Sequence, residues 1–89
     1  MLVLPADLTR SQASACLRML VQGLRALSDK EVVVDAGALV HFDSSALAVL
    51  LELRREGLAQ SKRLVIQSMP ERLHDLATVY GIEGLLPTA

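Results

Sequence analysis

A chain of 89 residues with a formal net charge of −1 has room for one domain and lacks the basic surface that grips a nucleic-acid backbone. Apolar residues make up 52% of it and aromatic residues only 2%, so base-stacking platforms are missing too, and core volume has to come from leucine, valine and alanine. The single cysteine, Cys16, excludes an internal disulfide and every multi-cysteine metal centre.

Met1 to Leu4 reads as a short strand, ended by Pro5, which has no N–H for a ladder. These residues lack the pattern of a signal peptide, and the longest apolar run, Ala46 to Leu51, is too short to cross a bilayer. The expectation is a cytoplasmic protein with no direct membrane insertion. Thr9 or Ser11 then opens a helix in which Ala13, Leu17, Leu20, Leu24 and Leu27 recur at spacings of four and three. Arg18, Gln22, Arg25 and Asp29 fall on the other face, and Cys16, bordering the stripe, reads as a small core residue.

Glu31 to Asp35 is a three-valine run bounded by charges, typical of a central strand buried on both faces. Ala36 to Asp43 reads as a loop. A helix follows from Ser44 to about Ala59, with Gly57 weakening its last turn. Leu64 to Gln67 is the next strand. Pro70 suits a first helical turn, and Leu73, Leu76, Ala77 and Tyr80 make a third helical stripe, closed by Gly81 as a left-handed cap. The tail from Ile82 to Ala89, broken by Gly84 and Pro87, reads as an irregular segment or a short turn.

The order strand, helix, strand, helix, strand, helix over residues 1–89 predicts one α/β domain with a mostly parallel sheet and right-handed crossovers. An open edge at Met1 to Leu4 would invite a second copy, so a homodimer through that edge is an expectation.

The helix after the loop carries more apolar surface than one sheet face needs. At about 100° per residue, Ala46, Val49, Leu50 and Leu53 gather on one side of its wheel. Leu47, Leu51 and Leu58 gather roughly a third of a turn away. The wide arc serves either a helix wedged among neighbours, with Arg54 snorkelling outward, or a helix that keeps part of its N-terminal end for another protein.

That N-terminal end carries Phe42, Asp43, Ser44 and Ser45. Either serine suits a helix cap. A phosphate on one of them would add about −1.5 to −2 charges at the electropositive end of a helix, where Asp43 would oppose it. His41, Asp43 and Ser44 are residue types of nucleophilic catalysis, but three groups within one short loop cannot supply a nucleophile, an oriented base and oxyanion donors together. His41 and His74 have no partners at metal-ligand spacing, and the five glycines stand singly, so neither a metal nor a phosphate-bearing cofactor is expected.

The stretch EVVVDAGALVHFDSSALAVLLELRR resembles the signature of STAS domains, the modules shared by sulphate transporters and anti-sigma factor antagonists. There, a strand ending in Asp leads through a loop into Asp-Ser/Thr-Ser/Gly-Gly-Leu at the start of a helix. LPADLT near the start is similar to the family's turn into its first helix, and LHDLATVYGIEGLLP resembles the end of the MlaB branch. MlaB is the small cytoplasmic STAS subunit of the bacterial ABC transporter, MlaFEDB, that maintains outer-membrane lipid asymmetry.

By that resemblance the protein is a non-enzymatic interaction module that binds and stabilises a transporter ATPase of the MlaF type, at most peripheral to the inner membrane through the complex. Ser44 matches the hydroxyl that the MlaB branch uses near its ATPase. Ser45 matches the serine phosphorylated in anti-sigma factor antagonists, where the partner is an anti-sigma factor kinase. The resemblance places the partner surface at Phe42, Asp43, Ser44, Ser45, Ala46, Leu47 and Val49, with Ser45 and Ser44 as candidate phosphorylation sites. Two departures stand out: Ala46 replaces the family's glycine, and the strand that usually precedes Met1 to Leu4 is absent.

Overall fold

Leu2, Leu4, Val32, Val34, Leu64 and Ile66 are all buried in one cluster, whereas Val3 is exposed and Val33 half-buried. That alternation sets the architecture of the computed structural model, which describes residues 1–89. In chain order the elements are β1 (Leu2–Val3), β2 (Asp7–Leu8), α1 (Arg10–Ala26), β3 (Glu31–Asp35) and β4 (His41–Phe42). Then come α2 (Ser44–Ala59), β5 (Arg63–Gln67), α3 (Glu71–Val79) and a 3₁₀ turn at Glu83–Leu85.

Strands β1, β3 and β5 form a parallel sheet in that spatial order, with Leu2 opposite Val34 and Val34 opposite Ile66. Cys16, Leu20 and Leu24 of α1, Leu50 and Leu53 of α2, and Leu73 and Ala77 of α3 join the same cluster as the even-numbered strand residues. All three helices therefore cover one face of the sheet. The expectation that the valine run is buried on both faces is corrected: Val32 and Val34 face the helices, and Val33 pairs with Val65 on the other side. The second face carries no helix, yet it is not uniformly open: Val65 there is buried, Val33 half-buried and Val3 exposed.

Gly23 lets α1 lie close on β1, because a Cβ there would come within 2.8 Å of a Leu2 methyl. Cys16 sits at the centre of the α1 stripe rather than at its border. Burial pushes its thiol pKa up, which leaves it an inert core residue.

Two further elements were not expected. The stretch read as a loop contains β4, whose His41 and Phe42 pair in parallel with Asp7 and Leu8 of β2. The tail also returns to the sheet: Ile66 N–H donates to the Pro87 carbonyl and Ala89 N–H to that of Ile66, which covers part of the β5 edge. The β1 edge is open as expected, but it is two residues long and followed by Pro5, which blunts it for pairing with a second copy. No helix is long and apolar enough to cross a membrane.

Candidate partner-binding site

Because the main strands run parallel, α1, α2 and α3 all begin at the carboxyl end of the sheet. The β2–β4 pair holds the approach to α2 in place. Across it, His41 Nδ1 and Asp7 Oδ1 lie 2.8 Å apart, both on exposed side chains.

Neither serine caps α2. Asp43, in extended conformation, is the cap; its Oδ1 accepts from the Ser45 N–H at 2.8 Å. Its Oδ2 accepts from the Arg10 N–H at 3.2 Å, so one carboxylate ties the starts of two helices together. A carboxylate beats a hydroxyl here because its charge also complements the positive ends of both helices. The Ser45 N–H holds the Asp43 carboxyl below its ordinary range; desolvation works against this, and the Arg10 N–H adds to the lowering. At α1, Thr9 is the cap, and Gln12 Oε1 accepts from both its N–H (2.8 Å) and its hydroxyl (2.6 Å).

With Asp43 as cap, the serines are freed. Ser44 is the first residue of α2 and is exposed; Ser45 is half-buried. Phe42 is half-buried, with the Arg72 guanidinium 4.8 Å above its ring centroid.

The split wheel of α2 is real in space. Its first arc, Ala46, Val49, Leu50 and Leu53, lies in the core, with Ala46 and Leu50 fully covered. Of the second arc, Leu47, itself buried, and Leu51 border a groove of about 300 Å³ lined also by Ser44, Ala48, Tyr80 and Ile82, while Leu58 lies away from it and is exposed. Of the expected partner surface, Phe42, Asp43, Ser44 and Ser45 come together at one corner. Ala46, Leu47 and Val49 turn inward and present almost no surface. Ala46 also accounts for the family's missing glycine, since its methyl group points into the core.

Ala48, Leu51, Tyr80 and Ile82 were not anticipated as site residues. The signal for Leu51 was the second arc itself. Tyr80 is 58% exposed although its spacing puts it on the α3 stripe; it is the C-cap of α3, and the chain turns at Gly81 directly after it.

The family model described as "Mlab, STAS domain" matches residues 1–87. The chain is a STAS domain of the Mlab family. Among solved structures, an anti-sigma-factor antagonist (STAS) domain protein from Planctomyces limnophilus is similar to it, with a TM-score of 0.79 at 16% identity, covering 97% of this chain and 77% of that one. At that identity the likeness speaks for the fold. No curated protein matches the sequence. Ser44 lies in the open at the start of α2, beside an apolar groove.

Proposed function

We propose that this STAS domain is a non-catalytic subunit that binds and stabilises the ATPase of an MlaFEDB-type phospholipid-transport ABC complex. The observation that carries the reading is the exposed Ser44 at the mouth of an apolar groove, in a chain whose family is the Mlab type. A hydroxyl at a helix start offers a partner a neutral polar contact. The groove beside it offers apolar area to be removed from water, worth about 25 cal/mol per Å². The domain would sit in the cytoplasm, held at the inner membrane through the transporter.

Co-expression with the cognate ATPase is expected to yield a complex that survives size-exclusion chromatography. Ser44→Glu is expected to weaken it by about tenfold or more, because the new carboxylate is desolvated in the interface. The same carboxylate is tolerated by the free domain, since a first-turn acid favours the helix. A complex of unchanged affinity would overturn the placement of the interface.

A second reading is favoured by the adjacent hydroxyl, Ser45, and by the similarity in fold to an anti-sigma-factor antagonist. In it the domain is itself an anti-sigma factor antagonist, switched by serine phosphorylation. Incubation with a cognate anti-sigma factor kinase and ATP would then add one phosphate at Ser45. A mass spectrum without it removes this reading.

A further inference from the structure

We propose that β1 and the flank of α1 above it form the contact between two copies of this domain, joined about a twofold axis at Val3. The contact goes beyond the ATPase-subunit reading and uses none of the residues at the start of α2.

The two edges of the main sheet differ. The tail bonds to Ile66 along the β5 edge, whereas the β1 edge has no such cover. Leu4 N–H donates to the Asp35 carbonyl, so by the alternation of a parallel ladder the N–H and C=O of Val3 point away from β3. Pro5 has no N–H to add. The open ladder therefore centres on one residue, too little to hold a second strand by backbone alone, and side chains have to carry the contact.

Those side chains are apolar. Met1, Val3 and Met19 are 65%, 53% and 60% exposed. Met19 belongs to this edge because Gly23, one turn further along α1, lies against Leu2. On the α1 wheel, Gln12, Ala15, Met19, Gly23 and Ala26 share an arc of about 80°. The arc turns away from α2, which Ala13, Ser14 and Leu17 face. All three arginines of α1, Arg10, Arg18 and Arg25, lie outside it, and the helix has no acid. Exposed strand edges are commonly guarded by charge. Here an apolar strand adjoins an uncharged helix flank, so the same surface of a second copy meets no like charge.

Symmetry supplies the fit. A twofold axis through Val3, perpendicular to the sheet, lets the Val3 N–H of each copy donate to the Val3 carbonyl of the other. The axis also brings the two α1 helices side by side, antiparallel, on one face of the joined sheet. Gly23 is level with Leu2, and α1 runs against β1. One strand step of about 3.3 Å matches about two helical residues at about 1.5 Å each, which puts the axis at the level of Val21. Met19 of each copy is then opposite Gly23 of the other, a long apolar side chain against a residue with none. The sheet continues edge to edge across the axis, so its face without helices keeps its exposure.

Sedimentation velocity of the purified domain from about 10 μM to about 1 mM is expected to show reversible monomer–dimer exchange, as a small contact gives. Met19→Glu sets two carboxylates near the axis and is expected to weaken the dimer about tenfold or more, with circular dichroism unchanged. Arg18→Glu, outside the arc, is expected to change little. Val3→Cys reads the register, because Cα atoms of a hydrogen-bonded antiparallel pair are about 5.5 Å apart, within disulfide range. Cys16 is buried and stays out of the exchange. Mild oxidation should cross-link Val3→Cys about tenfold faster or more than Ala59→Cys, which is exposed at the end of α2. Adding Met19→Glu to Val3→Cys should slow it to that control.

A wild type that stays monomeric throughout overturns the inference and leaves the edge to a segment of another chain. A dimer that keeps its affinity in Met19→Glu, or whose Val3→Cys form does not cross-link, overturns it as well. Neither position touches the start of α2, so ATPase binding is measured separately and the two conclusions stand or fall apart.

Discussion

Two helices of this domain end in the same backbone motif with different residues at its left-handed position. After α3, Gly81 has φ 71°, with Gly81 N–H donating to Thr78 and Ile82 N–H to Ala77. After α2, Ser61 has φ 58°, with Ser61 N–H donating to Leu58 and Lys62 N–H to Gly57. Gly81 was legible in the sequence because glycine is the residue such a cap selects; Ser61 was not, because serine there carries no signal. Its Cβ is strained where a glycine would not be. Ser61→Gly is therefore expected to stabilise the domain by about 0.5–1 kcal/mol, read as a higher urea midpoint at unchanged slope. Asp43 gives a second prediction at this scale. Its folded carboxyl has a pKa below the ordinary value of 3.8, so its contribution is present above that value and lost as pH falls through the folded one. Asp43→Asn keeps an oxygen for the cap but not this dependence. Melting temperatures of the two proteins should differ most near neutrality and draw together on acidification below pH 4. Curves that stay parallel would show that the carboxylate charge adds nothing.

The helices were legible because their apolar spacing repeats over several turns, whereas β2 and β4, two residues each, are too short to carry any period. The cap of α2 was misassigned for a related reason: Asp, Ser and Ser in succession are all good cap residues, and only the backbone decides among them. The end of α1 hides a long-range contact of the same kind. Its cap residue, Leu27, is extended and no glycine follows it, so its last carbonyls need another donor. Lys62, from the turn before β5, supplies it: the ammonium donates to the carbonyls of Leu24 (2.6 Å) and Leu27. A cation here also complements the negative end of the helix dipole. Lys62→Met keeps the aliphatic stem and removes the donor. It is expected to cost about 1–2 kcal/mol, allowing for partial exposure, and to raise amide hydrogen exchange most in the last turn of α1. Loss spread evenly over the domain would mean that the lysine acts by packing.

A three-valine strand bounded by charges reads the same whether one or both of its faces are covered; only the count of helices against strands distinguishes the cases. With three helices drawn to one face, the odd-numbered face of the sheet carries exposed Val3, half-buried Val33 and buried Val65, together with the exposed Arg63–Glu31 ion pair at 3.4 Å. Neighbouring valines of β3 should then differ sharply in what they contribute. Threonine matches valine in shape and in strand preference, so Val→Thr probes burial with the backbone tendency nearly constant. At Val34, fully buried against all-apolar neighbours, the new hydroxyl has no free side-chain partner, and the substitution is expected to cost about 1–3 kcal/mol. At Val33, half-buried on the face without helices, the hydroxyl can reach solvent, and the expected cost is below about 0.5 kcal/mol. Urea titrations of the two variants measure the difference directly. Equal losses at both positions would mean that the second face is covered in solution, by a second copy or by another chain, and analytical ultracentrifugation of the wild type would tell which.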